Sequence, residues 1–241
     1  MLGEKRWEPE AVLRLGIGLF FSLLIGSALA TAAKSWVGEG SEASRFLPFV
    51  ISTLSFHGMI LVLTQVFLWR HGVGWSEAFG FREPGQNRAV LLAVGATVVA
   101  LPVALVLGHL CSQVMLWLKL NPVAQQAVTT VQTTTGTGRQ VYLAVMAVGL
   151  APVAEEILFR GILYPTACRL WNSRVALWGT SVAFGAFHAN LMTFLPLTFL
   201  GAMLAWLYGR TGNLLAPILA HSLFNLANFF FLVLQVTGGS V

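Results

Sequence analysis

Seven stretches of this chain run for about twenty residues with almost no charge: 11–33, 46–69, 89–118, 140–168, 174–190, 192–209 and 212–236. A bilayer's hydrocarbon core, about 30 Å thick, takes roughly 20 apolar residues to cross as a helix. With no water there to satisfy peptide groups, the crossing segments must be helical or close into a barrel. The runs are too long and too continuously apolar for barrel strands, so the expected fold is all-α, a polytopic transmembrane helical bundle of about seven spans, with six to eight bracketing the count. Only 10% of the residues are charged, against about 25% in a soluble domain. That excludes a soluble globular enzyme, a disordered chain and a nucleic-acid-binding domain. No linker divides residues 1–241, which read as a single integral-membrane domain. The run 89–118 is long and holds Pro102, so it is either a tilted helix or a broken one.

Lys5 and Arg6 precede the first run, and Ser-Ala-Leu-Ala at 27–30 resembles a cleavage site. The apolar stretch exceeds the roughly 7–15 residues of a signal-peptide core, so it reads as a retained helix. Positive residues set orientation. With the N-terminus inside, cytoplasmic segments hold Lys5, Arg6, Arg14, Arg70, Arg82, Arg88, Arg169, Arg174 and Arg210, and the opposite side holds Lys34, Arg45, Lys119 and Arg139. The expectation is a cytoplasmic N-terminus, in a prokaryotic plasma membrane. The segment Trp75 to Asn87 reads as a cytoplasmic loop or surface helix, and Asn121 to Gln140 as an external loop or interfacial segment. Cys111 and Cys168 have no pairing or metal-ligand spacing and read as free, packed thiols.

All nine acids are Glu, and after Glu83 only Glu155 and Glu156 remain, inside an apolar run. A charge at the centre of a membrane helix costs roughly 2.5–3.5 kcal/mol on insertion scales. Glu156 and Arg160 stand at i and i+4 and can pair. Glu155 points about 100° away, over Phe159, so the pairing leaves it available. Pro152 can kink the helix beside it. A buried ion pair that fixes packing accounts for Glu156 and Arg160, and does not account for Glu155.

Two further clusters follow at helix-face spacing: Phe184 with His188, and His221 with Asn225. One carboxylate, two imidazoles and one amide from three helices can therefore converge in an intramembrane cavity. Together, Glu155-Glu156-x-x-Phe159-Arg160, Phe184-x-x-x-His188 and His221-x-x-x-Asn225 resemble the three signature motifs of the CAAX-protease and bacteriocin-processing family. Its members are intramembrane endopeptidases related to the type II CAAX prenyl endopeptidase. The resemblance covers 140–236, which would be the catalytic core, and the N-terminal half matches only as generic spans.

The resemblance implies that Glu155 is the general base for a water, that His188 holds and polarises that water, and that His221 and Asn225 stabilise the oxyanion. Glu156, Arg160, Phe159 and Phe184 would support them. Burial in a low-dielectric cavity strengthens such donors. The family's metalloprotease label implies an alternative, zinc held by Glu155, His188 and His221 with one position open. No His-Glu-x-x-His stands on one helix, and a zinc-bound Glu155 could not also be the base, so a mechanism without a required cofactor is the first choice.

Other polar residues have plainer readings. His57 is mid-helix, a candidate by depth alone, but it lies outside the three motifs and reads as packing. His109 reads as interfacial, His71 as a loop residue and Asn190 as a helix cap; Asn228 could extend the polar face of Asn225. Phe229 to Phe231 and the Trp residues are expected to face lipid or the interface. Gly16, Gly185 and Gly201 read as close-packing points. The partners expected are a membrane-associated protein or peptide substrate and the lipid bilayer, with no nucleic acid. The compact length and absence of a targeting tail fit the prokaryotic branch of the family, so a substrate with a hydrophobic C-terminal anchor or a small peptide precursor is favoured over prenylated ones. Two rival classes are a proton- or ion-coupled transporter and a catalytically idle scaffold or immunity factor. The first usually shows internal repeats, which are not evident, and the second should have lost motif residues, none of which is missing.

Overall fold

The computed structural model describes residues 7–37, 43–82 and 85–238. Lys5 and Arg6 lie outside them, as does the side chain of Arg45. The described residues are helical throughout, with no strand. Helix α1 (Pro9–Val37) runs unbroken through the Ser-Ala-Leu-Ala segment. Helices α2 (Ala43–Thr53) and α3 (Met59–His71) form one span interrupted by a π turn at Leu54–Gly58. The short α4 (Trp75–Phe79) follows, then α5 (Gln86–Trp117), one continuous helix despite Pro102. A small helix α6 (Gln126–Thr133) leads into the span Thr137–Leu170. That span comprises α7 (Thr137–Ala144), a π turn at Val145–Leu150, α8 (Ala151–Glu156), a second π turn at Ile157–Leu163 and α9 (Tyr164–Leu170). The chain ends with α10 (Ser173–Phe187), α11 (Leu191–Thr211) and α12 (Leu215–Gly238).

Six helices among the described residues are long and apolar enough to cross a membrane. The protein is thus a polytopic helical membrane bundle, but the seventh expected span falls short. Helix α10 has 15 residues, about 22 Å at 1.5 Å per residue. The apolar run 174–190 overstates it because the chain turns at its end. His188 caps α10, Ala189 adopts φ 48°, and Asn190 caps the next helix by accepting from the Thr193 N–H. A left-handed conformation at a non-glycine residue is costly and persists only where its surroundings impose it.

Helix α11 is the centre of the bundle, packed against α10, α5 and α12. Leu200, Leu204, Leu207 and Tyr208 along it are fully buried. Thr97 of α5 donates to the Ala220 carbonyl, joining α5 to α12. At one end, buried Trp7 donates Nε1–H to the Gly161 carbonyl while Arg169 bonds the Trp7 carbonyl. The turn after α4 closes on the α11–α12 turn there, where Leu214 N–H donates to the Phe79 carbonyl. A Cβ at Gly80, whose φ is +70°, would strike the Gly212 carbonyl, so this contact needs glycine twice over.

The outer surface is lipid-like. Trp36, Trp69 and Trp117 project at the ends of α1, α3 and α5, where an amphipathic ring suits the interface. Phe230 and Phe231 are also exposed. Cys111 and Cys168 are both free. The glycines divide. Gly185 lies tight against Thr198 and the Phe194 carbonyl, and Gly201 against Ser181 and Arg160, as expected of close-packing points. Gly16 is exposed, and a Cβ there would meet nothing within 4 Å.

Candidate active site

The span Thr137–Leu170 carries both inner acids. Glu156 is fully buried, and its Oε1 accepts from Arg160 Nη1 at 2.7 Å, the i,i+4 pair that the spacing predicts. Arg160 Nη2 donates to the Gly201 carbonyl at 2.9 Å, which fastens this span to the central helix α11. The guanidinium carbon also lies 4.5 Å from the centre of the Phe184 ring, a cation–π contact in a desolvated setting. The charge is therefore met on three sides. Glu156 Oε1 receives a second donor, His221 Nδ1 at 2.9 Å. The pair thus holds one of the site's imidazoles as well as balancing a charge.

Glu155 faces a different group. Its Oε2 lies 4.0 Å from His188 Nε2 and 3.9 Å from His221 Nε2. Those separations exceed a direct hydrogen bond, and suit one oxygen atom bonded to both sides. Oε2 is buried and has no hydrogen-bond partner among the described residues. His188 is fixed by its other nitrogen, Nδ1, which donates to the Phe184 carbonyl at 2.8 Å. A carbonyl only accepts, so this bond places a proton on Nδ1 and directs Nε2 towards Glu155. Phe184 packs edge-on against both site rings, with centroids 5.0 Å from His188 and 5.7 Å from His221. Phe159 packs edge-on against Phe184 at 5.1 Å. These two aromatics are the dry floor of the site.

Asn225 stands one turn beyond His221 on α12 and donates Nδ2–H to the Ala147 carbonyl at 2.8 Å. Ala147 belongs to the π turn Val145–Leu150, so the amide is anchored to the helix that carries Glu155. One Nδ2 proton is used in this bond. Asn228 turns back to bond the Phe224 carbonyl and does not extend the polar face.

His57 is the residue that the motifs missed. Its Nε2 is 3.1 Å from Glu155 Oε1, and its Nδ1 is 3.2 Å from the Thr53 carbonyl. Its depth in an apolar run was the one sequence signal for it. His71 bonds the Phe67 carbonyl at the Trp7 end of the bundle, and His109 is exposed. Asn190 is a cap whose Nδ2 bonds the Val123 carbonyl.

The spacing is unlike a tetrahedral zinc set. Zinc–ligand bonds of about 2.1 Å put neighbouring ligand atoms about 3.4 Å apart, and Glu155 Oε2 is 3.9–4.0 Å from each ring nitrogen. Among the described residues no group of three His, Cys, Asp or Glu is disposed to hold a metal ion.

Residues 137–227 match the family model described as Type II CAAX prenyl endopeptidase Rce1-like. Among curated proteins, the Bacillus subtilis (strain 168) protein named "Putative membrane peptidase YdiL" is 38% identical over 76 residues, which are 32% of this chain and 31% of that protein. The protein named "Uncharacterized protein YpbD" from the same organism is 34% identical over 76 residues, 30% of this chain and 36% of that protein. The similarity thus spans about a third of each relative's length. No solved structure matches the chain. Over residues 137–227, the stretch that holds Glu155, Glu156, Arg160, His188, His221 and Asn225, this chain matches the Rce1-like type II CAAX prenyl endopeptidases.

Proposed function

We propose that the protein is an intramembrane endopeptidase that hydrolyses a peptide bond of a membrane-associated protein or peptide. The observation that carries this reading is the gap between Glu155 Oε2 and the two Nε2 atoms, 4.0 and 3.9 Å wide. A water there donates to Oε2 and is held by His188. Glu155 takes its proton as the water oxygen attacks the scissile carbonyl carbon. The oxyanion accepts from His221 Nε2–H and from the Asn225 amide. His221 donates there in its doubly protonated form, with Nδ1–H on Glu156 Oε1 and Nε2–H on the oxyanion. As the tetrahedral intermediate collapses, the C–N bond breaks and the amine leaves with the proton from Glu155. The products are one new carboxyl and one new amino terminus. No step passes through a metal.

The surroundings favour this chemistry. The site lies midway along a span of 34 residues, walled by Phe159 and Phe184, so hydrogen bonds to developing charge are little screened. The family match and the name of the first relative point to the same class of reaction. An apolar C-terminal anchor is the substrate feature that a site at this depth would best accept. The charge bias supports a cytoplasmic N-terminus, and the Bacillus relatives support a prokaryotic plasma membrane.

The reading is tested by hydrolysis itself. Liposomes containing the purified protein and peptides with apolar C-terminal tails should yield new amino termini by mass spectrometry. Passage of intact peptides across the bilayer, with no new terminus, would contradict it and favour a transporter.

A further inference from the structure

We infer that the second span, outside the region that matches the family, completes the site: His57 is a positioning residue that pins one oxygen of Glu155 and thereby dedicates the other to water. The inference rests on the hydrolytic reading above.

A carboxylate has two equivalent oxygens and rotates freely unless one is held. Here Oε1 is held by His57 Nε2 at 3.1 Å, and Oε2 is the atom that faces His188 and His221. Carbonyl and carboxylate both only accept, so the ring meets the Thr53 carbonyl through Nδ1 and Oε1 through Nε2 together in its doubly protonated form. The Phe56 ring packs on it at 5.1 Å. Fixing a reacting oxygen matters because misplacement by about 1 Å can cost on the order of a hundredfold in rate.

The local backbone is built around this contact. His57 sits in the π turn Leu54–Gly58, and single π turns within α-helices frequently occur at functional sites. The Ser55 carbonyl in this turn accepts from Ser22 Oγ of α1 at 2.5 Å. Gly26, one turn on, lets α1 approach, since a Cβ there would lie 2.5 Å from Ser55 Cβ. On the next residue, Phe56 stacks on Phe187 at 5.0 Å with 22° between planes, and Phe187 immediately precedes His188. Adjacent residues of one turn therefore hold the Glu155 segment and the His188 segment together, and the first span braces the turn from behind.

Two measurements decide it. In bilayers, with ¹³C at Glu carboxyls and ¹⁵N in His rings, magic-angle-spinning NMR should show a carbon–nitrogen contact that disappears in His57→Gln; its absence from the wild type overturns the inference. In the liposome assay, His57→Leu should lower kcat about ten- to a hundredfold with KM unchanged. His57→Gln, which keeps a donor that can reach Oε1, should recover most of the loss. Gly26→Val, which touches no site residue, should lower kcat by pushing α1 off the turn. A purely packing role predicts the reverse order, with the apolar His57→Leu at least as active as His57→Gln. If Glu155→Gln abolishes cleavage while His57→Leu leaves kcat unchanged, the inference fails and the hydrolytic reading stands. If the wild type cleaves nothing, both fall.

Discussion

His57 and Glu155, 98 residues apart in the chain, meet at 3.1 Å between Nε2 and Oε1. Glu156, the adjacent acid, meets Arg160 at 2.7 Å and His221 at 2.9 Å. Consecutive carboxylates on one helix are thus committed to different partners, because successive side chains point about 100° apart. Each keeps an Oε2 without a hydrogen-bond partner among the described residues. What differs is that Glu156 is fully buried and braced by a cation, whereas Glu155 Oε2 is turned towards two imidazoles.

The first prediction concerns Glu156. Glu156→Ala leaves Arg160 buried without its carboxylate, a change that typically costs about 3–5 kcal/mol. It also removes the acceptor of His221 Nδ1. The detergent-purified variant should melt well below the wild type. Unchanged melting would show that the pair carries no structural weight. Arg160→Lys should fall between the two, since an ammonium cannot span Glu156 and the Gly201 carbonyl as the planar guanidinium does.

Asn225→Ala should act mainly on rate. Loss of one oxyanion donor lowers kcat by about 10²–10³, while loss of the bond to the Ala147 carbonyl costs only about 1 kcal/mol of stability. Kinetics and melting on the same preparation separate the two effects. Wild-type kcat in Asn225→Ala would remove the amide from the mechanism.

A pair of glycines tests the packing. Gly185 lies one turn before His188, and a Cβ there would be 2.8 Å from the Phe194 carbonyl oxygen, a backbone atom that cannot rotate aside. Gly185→Ala should destabilise by about 1–3 kcal/mol, as overpacking does, and lower activity by shifting His188. Gly16→Ala, with open space around it, should melt within about 1 kcal/mol of the wild type. Equal effects at the two positions would contradict the packing described.

Much of this was legible in the sequence. The apolar runs located the spans, and the i,i+4 rule found Glu156 with Arg160 and separated Glu155 from both. Three features were not legible. The run 174–190 counts as a span by hydropathy, but the turn at Ala189 ends α10 at Phe187. The π turns at 54–58, 145–150 and 157–163 leave no compositional mark, because an extra residue per turn alters facing without altering hydrophobicity. The contact of His57 with Glu155 joins residues on separate spans, which local periodicity cannot connect. Asn225 shares a face of α12 with His221, as the i,i+4 spacing expects, but its bond to the Ala147 carbonyl depends on one of those π turns.

Chelation addresses the metal question. Purified protein dialysed against a strong chelator should retain its cleavage rate. Loss of activity that zinc restores would contradict the metal-independent proposal, and would require Glu155, His188 and His221 to close around an ion.

The measurement that tests the central claim most directly is the cleavage rate of Glu155→Gln. The amide preserves the size of the side chain and still offers an oxygen to His57, but it cannot accept a proton from water. General-base catalysis contributes about 10²–10⁴ in rate, so the variant should lose that much of kcat or more while melting close to the wild type and keeping KM. Cleavage by Glu155→Gln at the wild-type rate would contradict the account, and would move the base to some other residue.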